Sequence, residues 1–116
     1  MPPSQLAIAT SVVNRLVKEE KSYHKEHEQQ QARITKMEQS NSTEENAEYE
    51  LRQERKALEE TNAMFPELKK KIRDALARLE QQLEQDKGPG DQSTPEDITK
   101  AKDAVASALT AIRESS

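Results

Sequence analysis

An apolar residue recurs every seventh position at Leu51, Leu58, Phe65, Ile72 and Leu79, and the series runs straight across Pro66. No other feature constrains the fold as tightly. Ala47, Thr61, Leu68, Leu76 and Leu83 fill the other edge of the same stripe, as the heptad spacing of packed helices requires. Two helices separated by a loop would have no reason to keep one phase. A new helix starting at Pro66 would also make Phe65 its N-cap, and a phenyl ring cannot accept hydrogen bonds from the free N–H groups of a first turn. The span 43–87 therefore reads as one helix bent near Asn62. Proline removes the N–H that would bond the Asn62 carbonyl, and its ring crowds that turn, at a local cost of about 3 kcal/mol. The residue before a proline resists the α conformation, so Phe65 shares the strain.

A second stripe lies upstream. Alternating steps of three and four from Leu6 reach Ala9, Val13, Leu16, Glu20, Tyr23, His27, Gln30, Ile34 and Met37, between flanks of Lys, Glu and Gln. Glu20, His27 and Gln30 interrupt it, and Ile8, Val12 and Val17 widen its upstream half. A continuous helix over 5–39 would be about 50 Å long. The break after it, "QSNST", is polar and rich in side chains that bond their own backbone. Ser42 and Glu45 have the spacing of a capping box, and Glu44, Glu45 and Glu48 suit the positive end of a helix dipole. So short a connection makes the two helices antiparallel neighbours.

"DKGPGDQSTPED" is the second break, with a loop over 88–93. Gly88 suits the left-handed residue that follows a helix, and Pro89 and Gly90 block its continuation. Thr94, Pro95, Glu96 and Asp97 then open a third helix over 95–114. Its stripe is Ile98, Ala101, Val105, Ala108 with Leu109, and Ile112. The expected fold is a single all-α domain over 1–116: an elongated antiparallel three-helix bundle with a long second helix kinked at Pro66 and a shorter third helix.

Composition agrees. Charged residues make up 34% of the chain and aromatic residues 3%, so a thin core of Leu, Ile, Val and Ala is expected rather than a sandwich or barrel. The net charge of -4 argues against nucleic acid as the partner, because phosphate binding needs a basic surface. The absence of cysteine excludes disulfides, thiol catalysis and Cys-ligated zinc. No basic residue precedes the short apolar part of "MPPSQLAIATSVV", which therefore does not read as a secretory signal. No apolar run is long enough to span a bilayer, so no membrane partner is expected.

Catalytic residue types cluster only in "YHKEHE", Tyr23 to Glu28. His24 and His27 are three apart, whereas the helical zinc-hydrolase signature sets two histidines four apart with a glutamate directly after the first. His24 is expected to face solvent. His27 is expected on the packing stripe, where a polar residue helps fix register. Glu20 and Gln30 either share that part or face a cavity or partner. A general acid or base needs a pocket that perturbs its pKa, and a thin bundle offers few. Phosphate loops are glycine-rich, and no glycine precedes Gly88. In "ELKKKIR" the lysines spread around the helix, with Glu67 facing Lys71 and Lys70 facing Asp74 at i,i+4. The residues point to a binding module, with no catalytic site, cofactor or metal.

Two motifs add a resemblance. "SVVNRLVKEEKSYHKE", Ser11 to Glu26, is similar to the tubulin-binding cofactor A family. That family carries a Val-Val-x-Arg-Leu-x-Lys-Glu stretch early in its first helix, followed by a tyrosine. Here these are Val12, Val13, Arg15, Leu16, Lys18, Glu19 and Tyr23. "LEETNAMFPELKKKI" resembles the apolar-Pro element midway along the family's second helix, at Met64, Phe65 and Pro66. The resemblance covers about Leu6 to Gln85. The Gly/Pro loop departs from the family in length, and the third helix carries no matching motif.

The resemblance implies a non-enzymatic chaperone, cytoplasmic and cytoskeleton-associated. It would capture β-tubulin after release from the cytosolic chaperonin and hold it for assembly of the αβ heterodimer, with other tubulin-folding cofactors as further partners. It implies neither nucleotide nor metal. Contact through helix faces would use amphipathic residues outside the core: Val12, Arg15, Lys18 and Glu19 on the first helix, and Met64, Glu67 and Lys71 on the second. Phe65, Pro66 and His27 are structural in this scheme. The alternative is a scaffold or homodimerising bundle without tubulin specificity, and the sequence leaves monomer and homodimer both open. A spectrin-like version would want core tryptophan, which is absent.

Overall fold

The computed structural model describes residues 3–40, 45–85 and 93–114. They form three helices, α1 (Gln5–Gln39), α2 (Ala47–Gln85) and α3 (Pro95–Glu114). The first two are antiparallel: Arg33 of α1 meets Glu54 of α2, while Glu20 lies near Lys69. The third returns alongside α1 in the same direction, with Asp97 near Ser4 at its start and Glu114 near Glu20 at its end. The body measures 72 × 26 × 17 Å. It is the slender three-helix bundle expected from the stripes.

α2 runs unbroken through Pro66. Its heptad residues are all wholly or partly buried, Ile72 and Leu79 fully. Burial along the whole stripe offsets the hydrogen bond lost at Asn62. The start of this helix differs from the expected position 43. Glu45 and Asn46 form a turn, and the Glu50 N–H donates to the Asn46 carbonyl at 2.9 Å. That first bond places Asn46 at the cap, a position asparagine fills as well as serine does. Ser42, the other half of the anticipated capping box, lies outside the described residues. So do Thr43, Glu44 and the span 86–92 with Gly88, Pro89 and Gly90.

Two further caps are explicit. The Ser4 hydroxyl oxygen accepts the Ala7 N–H at 3.0 Å and opens α1. At α3 the Asp97 N–H donates to the Thr94 hydroxyl at 3.0 Å, and the Asp97 carboxylate accepts the Thr94 N–H at 3.4 Å. This is a reciprocal capping box with aspartate in place of glutamate.

The apolar core occupies the stretch where all three helices overlap. Leu6, Val13, Leu16 and Val17 of α1 meet Ile72, Ala75, Leu76 and Leu79 of α2 and a row of alanines from α3. Those alanines, Ala101, Ala104, Ala108 and Ala111, are buried, while Ile98, Val105 and Ile112 flank them at the edges. Leu109, which the sequence places in the stripe, is 47% exposed. Methyl-sized contacts let α3 approach closely, so its seam is drawn through the alanines and the larger side chain is turned out.

Among the described residues only α1 and α2 extend past the level of Glu114, and burial changes character there. Ile34 is buried there with the polar Gln30 and Thr61, while Tyr23, His27, Met37, Leu51 and Leu58 are half-buried. A two-helix arm therefore extends from a three-helix body. Among the described residues no helix is long and apolar enough to cross a membrane.

Candidate partner-binding face

Two features mark the junction of body and arm. Glu20 is 2% exposed, and its Oε2 has no hydrogen-bond partner. Burial holds its carboxyl above the ordinary value of 4.5, against the opposing pull of His24 and Lys69, while Glu114 at the end of α3 pushes the same way as burial. His24 Nε2 lies 3.6 Å from Glu20 Oε1, an ion pair whenever the imidazole is protonated.

Phe65 is the second feature. Its ring stacks on His24 with centroids 4.4 Å apart and meets His27 edge-on at 5.9 Å. His24 is thus partly solvent-facing, as expected, yet its ring is committed to Phe65. The phenyl group of α2 reaches across the seam just before Pro66, and offset aromatic contacts favour this arrangement. His27 does sit on the packing stripe, half-buried. Among the described residues no group of three or more His, Asp or Glu side chains is placed to hold a metal ion.

On the side of α1 and α2 away from α3, a shallow furrow runs between the two helices in three sections. The first is lined by Gln5, Ile8, Ala9 and Val12 against Ala75, Arg78 and Gln82. Ile8, 44% exposed, provides its apolar wall. The middle section has Val12, Arg15 and Glu19 facing Lys71, Asp74 and Arg78. The third lies on the arm, with Tyr23, Glu26 and Gln30 opposite Ala57, Glu60, Thr61 and Met64. On α1 the lining positions Gln5, Ile8, Val12, Arg15, Glu19, Tyr23, Glu26 and Gln30 advance in steps of three and four, so one helix edge supplies them.

The structure therefore gathers Val12, Arg15, Glu19 and Lys71 in one section and Met64 in the next. It leaves two of the expected contact residues apart. Lys18 is exposed on another side of α1, and Glu67, exposed on α2, lines none of the sections. The Glu67–Lys71 and Lys70–Asp74 pairs are not among the ion pairs formed by the described residues. Lys71 and Asp74 turn instead toward the furrow beside Arg15 and Arg78. Ile8, Arg78, Glu26 and Glu60 were not singled out in the sequence. Only the apolar widening at Ile8 hinted at any of them.

Charge changes along the furrow. The first section is mostly uncharged, the middle one carries three cations against two carboxylates, and the third carries Glu26 and Glu60 with no lining cation. A body of this kind is an elongated helical bundle that offers long faces of graded charge. Comparison with known proteins then places it more narrowly. Residues 1–105 match the family model described as tubulin binding cofactor A. The chain is 33% identical to tubulin-specific chaperone A of Saccharomyces cerevisiae, with 93% of each chain covered. It is 35% identical to tubulin-specific chaperone A of Homo sapiens over 72% of this chain and 73% of that one. The crystal structure of tubulin folding cofactor A from Arabidopsis thaliana superposes with a TM-score of 0.74 at 32% identity, covering 90% of this chain and 92% of that one. The chain belongs to the tubulin binding cofactor A family.

Proposed function

We propose that this protein is a tubulin-folding cofactor that captures β-tubulin folding intermediates after their release from the chaperonin. It holds them for assembly of the αβ heterodimer, and it works in the cytoplasm beside the cytoskeleton. The observation that carries this reading is a family match spanning nearly the whole chain, on a rod that collects Val12, Arg15, Glu19 and Lys71 in one furrow.

The mechanism needs no chemistry. A non-native subunit exposes apolar surface that would otherwise associate indiscriminately. Ile8, Val12 and Met64 supply apolar contact, and the charges between them fix register and favour one partner over others. Binding to the incompletely folded form lowers the free concentration of aggregation-prone chains by mass action. The other tubulin-folding cofactors are the expected recipients of the held subunit.

A pull-down with separated α- and β-tubulin tests the reading. Capture of β over α is expected, and equal indifference to both would overturn it in favour of a scaffold bundle. Sedimentation of the same preparation distinguishes monomer from homodimer.

A further inference from the structure

We propose that the arm section of the furrow is a receptor for an arginine side chain presented by the client, with Gln30 as its buried acceptor. This rests on the reading of the chain as a tubulin-folding cofactor and deepens it by naming the chemistry of one contact.

Gln30 is 3% exposed and lines the furrow, yet its Oε1 has no hydrogen-bond partner. An unsatisfied buried acceptor is costly, and a bundle seam would be better served by leucine or methionine at that place. What the free protein leaves unpaired, a ligand can satisfy. The walls say which ligand. Glu26 and Glu60 are the charged lining residues, one from each helix, and no lining cation neutralises them. Arg33 and Arg55, further along the arm, are already engaged with Glu54 and Glu38.

Tyr23 and Met64 complete the shape, and the space between the walls is about 360 Å³. A guanidinium is planar, stacks on aromatic faces and carries five N–H donors in a fixed fork. It can therefore lie against Tyr23 and pair with the two carboxylates, and a turn of the Gln30 side chain, whose Oε1 is closed off from solvent in the free protein, brings that acceptor to one of the remaining donors. A lysine ammonium offers three donors on a compact, strongly hydrated head and cannot stack in this way. Met64, unbranched and flexible, can shift to admit the side chain.

Two measurements on the full chain decide the matter. In the first, N-acetyl-arginine amide is titrated at millimolar concentration while side-chain resonances are followed by NMR. Shifts confined to Tyr23, Met64 and the Gln30 amide are expected, larger than those from N-acetyl-lysine amide and lost in the E26Q/E60Q double variant. The second is affinity for purified β-tubulin at two ionic strengths. Gln30→Met should melt no lower than wild type yet bind about five- to ten-fold more weakly. E26Q/E60Q should lose about ten-fold at low salt and show a flatter salt dependence, whereas Glu84→Gln, on the groove between α2 and α3, should bind as wild type. No local shifts with the arginine probe, or full β-tubulin affinity in Gln30→Met and E26Q/E60Q, overturns the receptor while leaving the cofactor reading intact. A wild-type chain that captures neither tubulin overturns the client assignment, and this proposal with it.

Discussion

The Ser4 hydroxyl lies 3.5 Å from the Asp97 carboxylate and joins the first turn of α1 to the first turn of α3. Each group also caps its own helix: Ser4 accepts the Ala7 N–H, and Asp97 closes the box with Thr94. Two local devices thus share one long-range contact, which helps set the register of the parallel pair.

Removing either cap should cost about 1 kcal/mol, the usual loss for a Ser, Thr or Asp cap replaced by alanine. Ser4→Ala and Asp97→Ala are each expected to lower the urea midpoint without changing the slope. In a double-mutant cycle their effects should fall short of additivity by about 0.5 kcal/mol. Strict additivity would show that the contact between them contributes nothing.

Glu20 should make stability depend on pH in an unusual direction for a carboxylate. Its folded pKa is raised, so the folded chain holds the proton more firmly than the unfolded one. Below the unfolded value both states are protonated and no penalty exists. As pH rises through the folded pKa the unfolded chain ionises first, and stability is lost. Glu20→Gln is therefore expected to raise the melting temperature at pH 7, by an amount equivalent to about 1 kcal/mol, with the gain fading toward pH 4. The groups facing Glu20 are His24, Lys69 and Glu114, so Glu114→Gln should shift the same profile weakly in the same sense. A gain independent of pH would mean that its charge is not the cause.

Phe65 is half-buried and carries both histidine contacts. Its replacement by alanine should destabilise by about 2 kcal/mol, below the range for a fully buried phenylalanine. Leucine should recover the apolar part but not the ring contacts. Thermal melts of the two variants separate packing from aromatic geometry.

Pro66→Ala restores the missing N–H opposite the Asn62 carbonyl, so a straighter helix more stable by about 1–3 kcal/mol is expected. Under the tubulin-capture reading its affinity for β-tubulin should fall, because Met64 and Lys71, on either side of the proline, would be re-aimed relative to one another. Unchanged capture would make the proline incidental to binding.

Charge reversal in the middle of the furrow tests the proposed contact residues directly. Arg15→Glu combined with Lys71→Glu is expected to weaken β-tubulin binding at least ten-fold at low salt, with little change in melting temperature, since both side chains are exposed. Lys18→Glu, on another side of α1, should have a much smaller effect. Equal losses from both variants would point to general electrostatics rather than a defined face.

The seams of α1 and α2 were legible because heptad phase is a property of sequence alone. Every position on the three-and-four stripe of α1 and on the heptad stripe of α2 is wholly or partly buried, including Glu20, His27 and Gln30, whereas Ile8, read as widening the first, is exposed. The seam of α3 was less so. Whether Ala104 or Leu109 turns inward depends on how closely a neighbour approaches, and spacing cannot report a distance. Asn46 displaced the anticipated cap because several residues in that turn could serve. The furrow was legible only in part. Val12, Arg15, Glu19 and Lys71 came together, but Lys18 and Glu67 are exposed as well, and only the facing helix decides which exposed side chains line a furrow. Phe65 reaching across to His24 is likewise a fact of three dimensions.

The third helix stops level with Glu20, and this has a dynamic consequence. Amides near Val13 and Ile72 are closed in by three helices, whereas those around Ile34 and Leu51 are shielded by a single neighbour. Exchange with deuterated solvent should proceed through smaller, cheaper openings toward the tip. The molecule then has a firm handle and a compliant prong, which under the proposed function could adjust to a misshapen subunit without loosening its own grip.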